Sequence, residues 1–129
     1  MKKKFLTSLT ICGLVVAAAT GVQAARQIGS YDTNVPVIED FESGSLKKDN
    51  TSSAVNNVEK VDGGLVSWIE NSSGGNITTK VSYSTPSRYL LDYSSASSYV
   101  GKSVHLNIST QTNVWNSVST KGTWSPDER

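Results

Sequence analysis

The residues able to carry chemistry are few. One histidine, His105, and one cysteine, Cys12, occur in 129 residues, beside eleven acidic and twelve basic side chains. A Ser-His-Asp arrangement would place His105 within hydrogen-bonding reach of a serine and a carboxylate. Serines are abundant, but none sits in the Gly-x-Ser-x-Gly turn that presents an esterase nucleophile. Alternation also sets His105 on the outward side of its strand. The sequence therefore assigns no catalytic residue and reads as a non-enzyme, with a small secreted hydrolase as the last-ranked alternative. Glu39, Asp40 and Glu42 are close in sequence, yet they lack the Asp-x-Asp-x-Asp-Gly spacing that wraps calcium and read as a solvated acidic loop. No metal and no cofactor is expected. Gly63-Gly64 and Gly74-Gly75 fit turns rather than a phosphate-binding loop.

Aromatic side chains are the remaining lead. Trp68 lies in the most apolar segment and reads as core, whereas Trp115 and Trp124 stand in polar surroundings toward the C-terminus, with Tyr99 nearby in sequence. An exposed Trp or Tyr can stack on a sugar or dock a partner, so Tyr99, Trp115 and Trp124 are the candidate binding residues. The competing reading is that they close the ends of the core.

The N-terminal two dozen residues read as an export signal. Lys2-Lys3-Lys4 form a basic head, Phe5 to Ala19 an apolar stretch, and Val22-Gln23-Ala24 a small-residue recognition site, which predicts cleavage between Ala24 and Ala25. The apolar stretch, interrupted by Thr7, Ser8 and Thr10, falls short of the roughly 20 residues of a membrane span. Cys12 follows Ile11 rather than the small residue that precedes an acylated cysteine, so it reads as one more apolar residue of the signal. Its loss leaves a thiol-free chain, excluding disulfides, thiolate-held zinc and cysteine nucleophiles. Removing three of the twelve basic residues leaves nine against eleven acidic ones, and no basic patch remains to follow a phosphate backbone. Nucleic acid is not an expected partner, and no membrane span is expected after signal removal.

What must position any site is a set of strands. After residues 1–24 as signal peptide, residues 25–50 read as an extended arm or edge strand and loop, because Pro36 cannot donate to a central ladder. Residues 51–129 read as the β-rich core. Leu65 to Glu70 carries apolar side chains on both faces and reads as a central strand. Ile77, Thr79, Val81 and Tyr83 form the clearest period-two run, and Val104, Leu106 and Ile108 point inward. Val55, Val58 and Val61 are spaced by three, ambiguous between helix and irregular strand, with strand favoured by the Asn and Val content. Asp62-Gly63-Gly64, Asn71 to Gly75, Thr85-Pro86-Ser87 and the serine-rich Ser94 to Ser98 punctuate these segments. Six or seven short strands at about ten-residue intervals predict an all-β fold, a small antiparallel sandwich or barrel.

With the strands placed, Gly29-Ser30-Tyr31, Asp49-Asn50-Thr51-Ser52, Ser67-Trp68-Ile69-Glu70-Asn71, Val104-His105-Leu106-Asn107 and the terminal Gly122-Thr123-Trp124-Ser125-Pro126-Asp127 together resemble a family of small secreted proteins of unknown function from Gram-positive bacteria. Distantly, the size and signal are similar to lactococcin-type bacteriocins. The resemblance implies secretion and carries no catalytic residues. The expected function is that of a secreted, non-enzymatic β-domain binding at or near the cell envelope, to a cell-wall polymer or another surface protein, with a bacteriocin-like antagonist as the alternative.

Overall fold

A computed structural model describes residues 26–129 of the chain. The expected signal peptide of residues 1–24, its expected cleavage between Ala24 and Ala25, and Cys12 lie outside the described residues. Among the described residues nine strands occur in chain order: β1 (Gly29–Val35), β2 (Phe41–Glu42), β3 (Leu46–Lys47), β4 (Ala54–Val61), β5 (Leu65–Asn71), β6 (Val81–Tyr83), β7 (Ser87–Leu91), β8 (Ser103–Thr110) and β9 (Val118–Ser125). They form two antiparallel sheets packed as a small sandwich, one of four strands ordered β1-β9-β4-β7 and one of five ordered β2-β8-β5-β6 with β3 also paired to β8. A three-residue 3-10 turn, Ala96–Ser98, is the one helical element among the described residues.

Alternation sets which side chains meet between the sheets. On β8, Val104, Leu106 and Ile108 are fully buried, and they face Leu65 and Ile69 of β5 on the same inner surface. Residues 25–50, read as an arm and loop, supply β1, β2 and β3. Tyr31 and Val35 from this segment belong to the core cluster, and β1 pairs with β9 along its whole length from Gly29↔Trp124 to Val35↔Val118. Of the three valines on β4, Val58 and Val61 both pack on the core, and their spacing has a specific cause. The register against β9 shifts between Val58 and Lys60, a bulge that lets Val58 and Val61 turn to the same side despite an odd separation.

The period-two run from Ile77 to Tyr83 is divided between partners. The Ile77 N–H donates to the Ile69 carbonyl at 3.0 Å while its own carbonyl accepts from the Ser94 N–H at 3.1 Å, and Thr79 N–H donates to Asp92 at 2.9 Å. Only Val81–Tyr83 pairs continuously with β5. The segment thus stitches the β5 side of one sheet to the chain leaving β7 in the other.

Two buried polar groupings tie the sandwich together. Near the C-terminus Lys48 and Asp127 are both fully buried, with Nζ 2.8 Å from Oδ1. Between the sheets, Asn56 accepts from the Tyr31 hydroxyl at 2.7 Å and donates to Ser67 Oγ and the Tyr83 hydroxyl, each at 3.2 Å. Gly122 lies against this network, since a Cβ there would stand 2.3 Å from the Asn57 carbonyl and 2.7 Å from the Tyr31 hydroxyl. A side chain at 122 would force β9 away from β4.

Burial governs the phenols. It pushes Tyr83 from its ordinary 10.0 up to about 12, partly offset by hydrogen bonds from Asn56 and Ser67. Tyr31 and Tyr93 rise further, again through burial first, with Tyr83 adding to the effect on Tyr31 and the Asp127 carboxylate to that on Tyr93. An acid whose folded pKa lies above its unfolded value keeps its full stabilising contribution below the unfolded pKa and loses it as pH rises through the folded one. Stability is therefore expected to hold up to about pH 10 and to fall by on the order of 3 kcal/mol per buried phenol by about pH 12. Urea midpoints measured across that window check it. A midpoint unchanged to about pH 11.5 would contradict the burial of these hydroxyls.

Candidate functional site

Two places on the sandwich concentrate unusual side chains. The first is one end of the molecule, where the chain crosses between the sheets at β1–β2, β4–β5, β6–β7 and β8–β9. The loop from β1 to β2, residues 36–40, leaves Val35 and enters at Phe41, which pairs with Ile108 of β8. The loop from β8 to β9, residues 111–117, leaves Thr110 and enters at Val118, the partner of Val35. Because β1 is beside β9 and β2 beside β8, the two crossovers run as neighbours. Ile38 is 91% exposed and Trp115 is 84% exposed, the two most exposed large apolar residues described, and Val37 is also exposed. The β4–β5 turn belongs to the same end, with Ser119 N–H donating to Asp62 Oδ1 at 2.8 Å and Gln111 N–H to the Gly64 carbonyl at 3.1 Å.

The three sequence-selected aromatics do not converge. Trp124 is 2% exposed and belongs to the core cluster, with Gly29 packed against its indole, so it is closed to a ligand. Its polar neighbours in sequence are strand residues and small packing partners, which made a buried tryptophan read as an exposed one. Tyr99 is half-buried and stacks on Tyr93 with ring centres 6.4 Å apart. It precedes β8 whereas Trp115 follows it, so eight residues of extended strand, roughly 25 Å, separate them. Of the three, Trp115 alone is presented openly.

The second place is the outer face of the five-stranded sheet. Register sets Glu42 of β2 opposite Asn107 of β8, Asn107 opposite Trp68 of β5, and His105 opposite Glu70. All five project outward, since their neighbours Phe41, Leu106, Ile108 and Ile69 turn inward. His105 Nε2 lies 3.2 Å from Glu70 Oε1 and 3.9 Å from Glu42 Oε1. The other Glu70 oxygen accepts the Trp68 indole N–H at 2.8 Å, and Lys80 Nζ sits 4.2 Å above the Trp68 ring. Trp68 is accordingly buried on the outside of the sheet by charged neighbours, not within the interlayer core. Asn107 donates from Nδ2 to Asp40 Oδ2 at 3.0 Å.

Sequence reasoning singled out Glu42 only as part of a local acidic run with Glu39 and Asp40. Its actual companions arrive from β5 and β8. The outward alternation of His105 and Asn107 was a usable signal, but the strand pairing that adds Glu42 and Glu70 was not readable. No family model, curated protein or solved structure matches this chain.

Proposed function

We propose that the chain is an exported, non-enzymatic β-sandwich that binds a partner at or near the cell envelope, a wall polymer or another surface protein, through the end bearing Val37, Ile38 and Trp115. Export rests on the basic head, apolar stretch and small-residue site of residues 1–24. The observation that carries the binding reading is the exposure of Ile38 and Trp115 on adjacent crossovers. Holding a tryptophan and an isoleucine in water forgoes roughly 2–3 kcal/mol each that burial would return, and a docked partner supplies that burial. An exposed tryptophan is also among the side chains most used as interface anchors.

Retention of the mature protein on purified wall polymers and on intact envelopes tests the reading. Trp115→Ala and Ile38→Ser are each expected to reduce retention by about tenfold or more with an unchanged urea midpoint, as both side chains are solvent-exposed. Equal retention of wild type and both variants, or none for wild type, would remove this end as the binding surface. Clearing zones on lawns of related Gram-positive strains would favour the antagonist reading instead.

A further inference from the structure

We propose that Glu42, Glu70 and His105 form a binding site for a divalent transition-metal cation of the zinc type on the outer face of the five-stranded sheet. Their donor atoms all lie within 4.8 Å of one another. Around an ion bound at 2.0–2.2 Å in tetrahedral geometry, ligand atoms stand roughly 3.4 Å apart. The 3.2 Å between His105 and Glu70 already matches that spacing. Glu42, at 3.9 Å from His105 and with a side chain 61% exposed, has the freedom to close the remaining gap. Two carboxylates balance a divalent charge, and the imidazole selects a first-row transition ion over calcium or magnesium, which take oxygen ligands alone.

The surroundings support a ligand rather than a bare ion pair. The Glu70 carboxylate is held on its far side by the Trp68 indole N–H, the kind of outer partner that fixes a metal ligand in place. More telling is Asn107, 1% exposed and the next outward residue to His105 on β8, directly across from Glu42. Its Oδ1 is buried and has no hydrogen-bond partner among the described residues. Flipping the amide does not relieve this, because Nδ2 is engaged by Asp40 and the exchange would set two acceptor oxygens face to face. A buried carbonyl oxygen left unpaired is costly. Register makes Asn107 a neighbour of the three ligands, and a water carried by the cation is the partner assigned to this oxygen.

The test uses the mature protein stripped with a chelator. Calorimetric titration with zinc is expected to show one equivalent bound, accompanied by a change in tryptophan emission that persists in Trp115→Phe, since Trp68 bonds directly to a ligand. Magnesium and calcium at the same concentrations should produce neither signal. Glu42→Gln, at an exposed position that leaves packing intact, and His105→Ala should each weaken zinc binding by about tenfold or more. The proposal is overturned if no zinc binds at on the order of 100 µM, or if binding persists unweakened in both variants.

Discussion

Asp127→Ala is expected to destabilise the protein by about 3–5 kcal/mol, a large share of the roughly 5–15 kcal/mol that holds a domain of this size. Lys48 Nζ has three acceptors, Asp127 Oδ1 at 2.8 Å, the Ser52 carbonyl at 2.7 Å and the Pro126 carbonyl at 3.4 Å, and it lies 4.0 Å over the Tyr93 ring. Removing the carboxylate leaves an ammonium buried without a counter-charge. The same carboxylate accepts the Asp49 N–H at 2.6 Å and the Asn50 N–H at 3.4 Å, so two backbone donors lose their partner together with the lysine. Lys48→Met should cost less, because the Asp127 carboxylate retains those two donors, whereas Asp127→Asn should cost nearly as much as Asp127→Ala, since it removes the counter-charge and turns an amide NH2 toward one of the donors that the second oxygen accepted from. Urea unfolding of the three variants checks the order. A loss under about 1 kcal/mol for Asp127→Ala would mean that the pair does not fasten the C-terminal tail to residues 47–50.

That ion pair also shows where sequence reading stops. Lys48 stands among serines and polar residues and read as part of a solvated loop, and nothing local announces a partner 79 residues away. Strand interiors were far more legible. The inward run Val104-Leu106-Ile108 is buried as alternation required, and Leu65 to Glu70 occupies an interior strand flanked by β8 and β6. Asp62-Gly63-Gly64 does end β4 in a turn. The failures share a physical origin, in that each depends on a second segment. A bulge defined by pairing with β9 explains the spacing of Val58 and Val61 on β4, a change of partner at Ile77 breaks the best alternating run, and Gly29 of β1 seals Trp124.

The same limit applies to the outer face of the five-stranded sheet. A single-chain periodicity can say that His105, Asn107, Trp68 and Glu70 face away from the core, but their mutual distances are set by which strands pair and in what register. The two-residue strand β2 is too short to carry any periodic signal, yet it delivers Glu42 to His105. An outward strand residue is ordinarily solvated. Here the row is crowded enough to bury Trp68 and Asn107, which is why composition alone understated it.

Asn56→Ala is expected to cost about 3 kcal/mol, chiefly by stranding hydroxyls rather than by opening space. Asn56 is fully buried on β4 and links three strands, taking the Tyr31 proton from β1 and giving its two N–H groups to Ser67 of β5 and Tyr83 of β6. An alanine leaves the Tyr31 and Tyr83 hydroxyls facing a gap bordered by the apolar core, each short of a partner. If the loss comes from those unmet bonds, removing the Tyr31 hydroxyl should relieve it. Tyr31→Phe alone should therefore destabilise, because Asn56 Oδ1 is then unpaired, whereas Tyr31→Phe in the Asn56→Ala background should cost close to nothing. A double-mutant cycle from urea unfolding should give a coupling of at least about 1 kcal/mol. Strict additivity of the two changes would show instead that Asn56 acts by filling volume, and the three hydroxyls would then need other partners.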